Sequence, residues 1–212
     1  MKTSENFILT IALITMLVSA VSLGFTYYSV NNFKDNLFSG YATFETNATI
    51  NITVASNVVI NFTTNNINFG TGSVNAGTIQ AYLDSGNGLA TNSSGWSSAK
   101  QALVLENIGT ANVSISIRTY KNATTFIGGT NPSYAFNITN NNPGSCTNIT
   151  GFNLNQYYEV NATTLSAGGS PLCTNLPAND ATDSINISIR LIVPYDSLNG
   201  TLGDFMTAIA TG

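Results

Sequence analysis

The sequence has no histidine. That absence removes the imidazole base of serine and cysteine hydrolases, the commonest acid–base group at neutral pH, and most zinc sites. Charge is scarce too: only 8% of the 212 residues are charged, and the six basic ones, Lys2, Lys34, Lys100, Arg118, Lys121 and Arg190, stand singly. Neutralising a phosphate backbone takes a clustered basic surface, so no nucleic-acid partner is expected. The two cysteines, Cys146 and Cys173, form neither a CxxC pair nor a metal-ligand spacing. The glycine-rich stretches lack the lysine of a phosphate-binding loop and read as β-turns. After residue 40 no helical pattern of useful length occurs, which excludes helix-based cofactor folds.

What the chain does have begins at its N-terminus. From Asn6 to Phe33 there is no charged side chain, while Glu5 and Lys34 flank the run. Phe7 to Phe25 as a helix would span roughly 28 Å, close to the hydrocarbon thickness of a bilayer. Thr3 or Ser4 can cap this helix and Glu5 suits its positive end. Tyr27 and Tyr28 follow where amphipathic rings favour a headgroup layer. Phe33, Leu37 and Phe38 extend the pattern to about Ser39, and Gly40 stops it. Small residues at Ala20 and Ser22 leave cleavage after Ser22 open, so three uses stand side by side: retained membrane anchor, core helix of a filament, or cleaved signal.

The remaining length suits one domain. From Ile50, TINITVASNVVINFTT alternates apolar and polar residues, with Ile50, Ile52, Val54, Val58, Ile60 and Phe62 in one phase and a bend at Ala55-Ser56-Asn57. The same period places Val113, Ile115 and Ile117 inward, then Tyr134, Phe136 and Ile138, then Ile185, Ile187, Ile189 and Leu191. Further strands are expected at TIQAYL, QALVLEN, QYYEV and DFMTAIAT, with turns at LDSGNG, ENIGTAN, IGGTNP, NNNPGS, AGGSP and DSLNG. The fold class is therefore mainly β: a long N-terminal hydrophobic α-helix over residues 1–40, then an antiparallel β-sandwich, Ig-like or jelly-roll, over residues 41–212.

N-x-S/T sequons occur at Asn47, Asn51, Asn61, Asn92, Asn112, Asn122, Asn137, Asn148, Asn161, Asn186 and Asn199, all beyond the apolar run. In the clear strands Asn51, Asn61, Asn112, Asn137 and Asn186 fall out of phase with the buried residues and are expected to face solvent, and several of the eleven sequons are expected to carry N-glycans. In an exported chain Cys146 and Cys173 would form one disulfide; otherwise they are two buried thiols. The ectodomain carboxylates supply no acid–base pair. Asp180 and Asp183 in ANDATD are close enough to aid calcium binding in a loop, but the spacing fits no EF-hand and a solvated turn explains them better. A self-formed lysine crosslink would use Lys100 beside Glu106. No catalytic, cofactor or metal residue is expected, and an extracellular enzyme is the least supported class.

With its glutamate at the helix start and a Thr- and Asn-rich β head behind, ENFILTIALITMLVSAVSLGFTYYSV resembles the plan of archaeal type IV pilins and archaeal flagellins. That resemblance implies a helix that leaves the membrane after processing and packs against its copies in a filament core. INFGTGSVNAG, LVLENIGTANVSI, FIGGTNPSY, the Ser145-Cys146 segment and VPYDSLNGTLGDFMTAIAT are similar to a group of archaeal cell-surface proteins. This second resemblance covers much of residues 67–211 and implies an exported, anchored sandwich with a Cys146–Cys173 bond. The expectation is a structural surface protein, a filament or coat subunit, whose partners are membrane or copies of itself. A membrane-anchored monomeric adhesin is the alternative.

Overall fold

A computed structural model describes residues 2–37, 52, 55–146 and 152–212. The chain divides into two compact units, Met1–Thr53 and Val54–Gly212. The expected boundary after residue 40 lies outside the described residues.

The first unit holds helix α1, Lys2–Leu37. Its stretch Asn6–Asn31 is 26 residues long with mean hydropathy 2.3, long and apolar enough to cross a membrane. The hydroxyls within it up to Thr26 are satisfied by the helix itself. Thr10 donates to the carbonyl of Asn6 at 2.6 Å, Thr15 to Ile11 at 3.0 Å, Ser19 to Thr15, Ser22 to Val18 and Thr26 to Ser22, each of these last three at 2.8 Å. Every hydroxyl between Phe7 and Thr26 is thus paired one turn back, and none needs water or lipid headgroups.

The second unit is antiparallel throughout: β1 Ile60–Thr64, β2 Ser73–Val74, β3 Gln80–Asp84, β4 Leu89–Thr91, β5 Ser93–Ser94, β6 Leu103–Asn107, β7 Val113–Thr119, α2 Ala123–Phe126, β8 Ser133–Asn140, β9 Tyr157–Glu159, α3 Ala162–Leu165, β10 Ser170–Leu176, β11 Ser184–Pro194 and β12 Met206–Thr211. The longest strand organises the first sheet. One edge of β11 pairs with β8 from Ile185 to Ile192, and β9 lies beyond β8. Its other edge is shared: β6 takes Ser184–Ile187 and β3 takes Arg190–Pro194, with β1 and β4 outside them. The second sheet runs β10-β7-β12, and β2 and β5 form a short separate ladder. The two larger sheets enclose one core, with Leu83, Leu105, Phe136 and Ile187 from the first and Ile115, Ile117, Leu172 and Leu176 from the second. This is a β-sandwich, and the inward residues expected on β7, β8 and β11 are all buried.

Two expectations need correction. Among the described residues of the alternating run from Ile50, only Ile60–Thr64 is strand; Ile52 is 85% exposed, and the irregular backbone of the expected bend at Ala55-Ser56-Asn57 runs on through residues 58–59. Asn57 explains the latter. Its carbonyl accepts from the amides of Thr110 and Ala111 at 2.8 and 3.3 Å, and its N–H donates to the Thr110 hydroxyl at 2.8 Å, so its backbone is committed to a turn rather than a ladder. Conversely, the AGGSP segment is not only a turn, because Ser170 and Pro171 begin β10. A proline without an N–H is tolerated there because β10 is an edge strand and its register shifts between Pro171 and Cys173.

Both short helices arise from one local sequence, Asn-Ala-Thr-Thr. Asn122 accepts from the Thr125 amide at 2.8 Å, and Asn161 from those of Thr163 and Thr164 at 2.9 and 3.2 Å, while the threonine hydroxyls reach back to the asparagine N–H. These are reciprocal N-caps that close a single turn.

Candidate functional site

Strand alternation gives β11 a second face. Ile185, Ile187, Ile189 and Leu191 enter the core, so Asn186, Ser188 and Arg190 project from the outer side of the sheet. There they meet Asn137 and Thr139 of β8, Tyr82 and Asp84 of β3, and Tyr157 of β9, around a cleft of about 610 Å3 that Lys100 also lines. The register is reciprocal: Asn137 lies opposite Ser188 and Asn186 opposite Thr139, so the sequons Asn137-Ile-Thr139 and Asn186-Ile-Ser188 face each other across the β8–β11 ladder.

Asp84 is the cleft's structural knot. At the end of β3 it closes an Asx-type turn, accepting from the amides of Gly86 and Asn87 at 3.0 Å each and from the Asn87 side chain at 2.9 Å. The Tyr157 hydroxyl donates to it at 2.5 Å and ties β9 to this turn. Burial works to raise the Asp84 pKa, but the bonds from Tyr157, Asn87 and Gly86 together outweigh it and hold the carboxyl below its ordinary value. Burial, followed by the bond to Asp84, pushes the Tyr157 phenol well above its usual range, which keeps it a neutral donor. The neighbouring Ser85 hydroxyl accepts from the Ile189 amide at 2.9 Å, and its carbonyl accepts from the Gln101 amide at 2.8 Å, fixing the segment that carries Lys100. Gly86 lies so close to β11 that a Cβ would stand 2.8 Å from the Ser188 side chain, so any larger residue would push the turn off the cleft floor.

A titration result follows. Asp84 has a lower pKa folded than unfolded, so the unfolded chain takes up its proton first and stability rises with pH through that window. Its contribution is fully present above the unfolded value of 3.8 and is lost as pH falls through the lower folded value. Asp84→Ala removes a charged acceptor from the half-buried Gly86 and Tyr157 donors and the exposed Asn87, which should cost about 1–3 kcal/mol at pH 7. Urea melts of wild type and variant at neutral pH and near pH 2 are expected to show the gap shrinking at acid pH. A gap independent of pH would refute the assignment.

Arg190 joins Asp84 and Lys100 as a charged member of the cleft. Its guanidinium carbon sits 4.3 Å from the ring centroid of Tyr157 and 5.9 Å from that of Tyr82, a cation–π arrangement that fixes the group without consuming its donors. The Arg190 Nε and the Asn137 Oδ1 are both buried and without a hydrogen-bond partner. The Gln101 side chain, by contrast, is spent on the backbone of Asn68, with bonds of 2.8 and 3.0 Å.

The other sequence-derived residues fall elsewhere. Cys146 and Cys173 are joined, with Cα atoms 5.7 Å apart. Asn61, Asn92, Asn112, Asn161 and Asn199 are exposed; Asn122, Asn137 and Asn186 are half-buried; Asn47, Asn51 and Asn148 lie outside the described residues. Asn137 and Asn186 are out of phase with the core, as expected, but they line the cleft rather than open surface. Asp180 is exposed and Asp183 buried, and among the described residues no three His, Cys, Asp or Glu side chains gather as metal ligands would. Lys100 is exposed, which removes the burial that a self-formed crosslink to Glu106 would need. Sequence reasoning missed Tyr82, Asp84, Tyr157 and Arg190 as a group. One signal was present: Arg190 is the lone charge in the strictly alternating SINISIRL, on the outer phase. No family model, curated protein or solved structure matches this chain.

Proposed function

We propose that the chain is an exported cell-surface protein in which α1 holds the β-sandwich head at the surface, as a structural subunit of a filament or coat on the plan of archaeal pilins. The observation that supports this most is α1 itself. It is charge-free and apolar from Asn6 to Asn31, and every hydroxyl up to Thr26 is satisfied inside the helix. Both lipid and a packed filament core require such a helix, because neither supplies water to an open polar group. The Cys146–Cys173 bond agrees with an oxidising compartment. N-glycans belong on the exposed Asn61, Asn92, Asn112 and Asn199.

N-terminal peptide mapping and electron microscopy of native surface material test this reading. The expected result is a start at Met1 or within Thr3–Glu5, in ordered fibres or arrays built from this chain. A start near Leu23 would make the helix a discarded signal and end the proposal. Intact chain found only as membrane-bound monomer would favour a second reading, an anchored binding module, for which the polar cleft on the head is the supporting observation.

A further inference from the structure

The outer face of β11 carries a feature that neither use of α1 explains. Two buried polar atoms in one cleft, the Arg190 Nε donor and the Asn137 Oδ1 acceptor, have no partner. Leaving such a group unmade costs about 1–3 kcal/mol, so a matched orphan pair calls for an occupant. They lie near each other, because Asn137 is opposite Ser188 and Arg190 is two residues farther along the same face of β11. We propose that the cleft binds a carboxylate-bearing sugar, with the carboxylate on the Arg190 guanidinium and a sugar hydroxyl donating to Asn137.

The chemistry of the lining selects this class. The guanidinium is planar and offers paired donors in the geometry of a carboxylate. Tyr157 and Tyr82 hold it by its π face, which leaves its in-plane N–H donors for a ligand, and among the described residues no carboxylate forms an ion pair with it. Asp84 does not compete, since its oxygens already accept from Tyr157, Gly86 and Asn87. Only Lys100 adds positive charge at the rim, which suits a monoanion better than a doubly charged phosphate. Elsewhere in the lining, Asn186, Ser188, Thr139 and Asn155 offer amides and hydroxyls that both give and accept, as sugar hydroxyls require. An extended peptide would need an open edge strand, whereas each of the floor strands β3, β8 and β11 has a partner strand on both sides. The volume of about 610 Å3 lies in the range of small-molecule sites.

The test uses the full chain in detergent or nanodiscs, with the fold of each variant verified by circular dichroism. Glucuronate- and galacturonate-containing oligosaccharides, their neutral counterparts, acetate and inorganic phosphate are titrated by calorimetry. Saturable binding of an acidic oligosaccharide is expected, with the neutral counterpart and Arg190→Ala each weaker by about 10- to 100-fold. Arg190→Lys should restore little, because it keeps the charge and loses the fork. Arg118→Ala is the control: this arginine also stacks on a tyrosine, 4.7 Å from Tyr120, with a buried unpartnered Nε, but lies outside the cleft, so binding should be unchanged. No saturable binding of any acidic oligosaccharide, equal binding of the neutral one, indifference to Arg190→Ala, or acetate or phosphate binding as tightly as the sugar would each overturn the proposal. Glycan on Asn137 or Asn186 in native material would also overturn it, because the glycan would fill the cleft. None of these outcomes bears on α1, so this site and the surface-subunit reading fail separately.

Discussion

Phe136→Ala is expected to destabilise the head by about 3–5 kcal/mol, a large part of the 5–15 kcal/mol that separates a typical domain from its unfolded state. Phe136 is fully buried at the middle of β8, opposite Ile189 on one side and Tyr158 on the other. Its ring centroid lies 5.7 Å from that of Phe152 and 6.4 Å from that of Tyr158, and those two rings pack edge-on at 4.4 Å. The strands around it are held by full ladders, so little can move in to fill the space, and the cavity term adds to the lost transfer energy. Phe136→Leu, which keeps most of the volume, should cost much less. Urea denaturation of the full chain followed by tryptophan fluorescence reads both values, since Trp96 packs against the same core. A loss below about 1 kcal/mol for the alanine variant would mean that β8 is not a core strand. The neighbouring residue, Asn137, faces the cleft from the same strand, so sugar binding should weaken along with stability.

The position of Phe136 was readable from sequence, and so were its equivalents. SYAFNIT, ANVSISI and SINISIRL each alternate cleanly because one face of each strand meets the core and the other meets water or the cleft. Where alternation misled, a local competitor had won: the turn around Asn107–Ala111 captured the backbone of Asn57, and residues 55–59 were left irregular. The short helices were hidden for a different reason. Asn-Ala-Thr reads as a glycosylation signal and, with a second threonine, also encodes a helix cap; at Asn122 and Asn161 the side chain is used as the cap.

The cleft could not be read the same way, because its parts are far apart in the chain. Asp84 and Tyr157 meet across 73 residues. Period two tells which residues leave the core but not which strands lie side by side, and the cleft depends on β3 and β8 flanking β11, with β9 beyond β8. Period two alone therefore assigns every out-of-phase polar residue to open solvent. Once the strand order is known, the same residues make two environments, exposed surface for Asn61 and Asn112 and a lined concavity for Asn137, Asn186 and Arg190.

Removing the disulfide should rank with the Phe136 change. Cys146 and Cys173 close a loop across 27 positions, and in the chain-entropy model such a crosslink stabilises by about 3–4 kcal/mol. For a domain of this size that corresponds to a fall in Tm of about 10 °C. The bond also has a specific place in the fold: Cys146 follows the turn after β8 in the first sheet, while Cys173 lies in β10 of the second. Its loss therefore releases the two layers from each other at one end of the sandwich. Cys146 is anchored locally as well, since its amide donates to the Asn140 side chain at 3.1 Å, so the turn should keep its shape when the bond is gone. Cys146→Ala, Cys173→Ala and the double variant should then lose the same amount, because each removes one shared constraint; clearly additive losses would point to separate packing roles instead. Both cysteines are buried, so a reductant should act only on opened molecules, and the intact head should resist it at low temperature and yield on warming. If reduction and the double variant both leave Tm unchanged, the bond does not constrain the folded head. If they lower it as expected, the head reaches full stability only after oxidation, and a chain displayed outside the cell would be held in its final form by the compartment it enters.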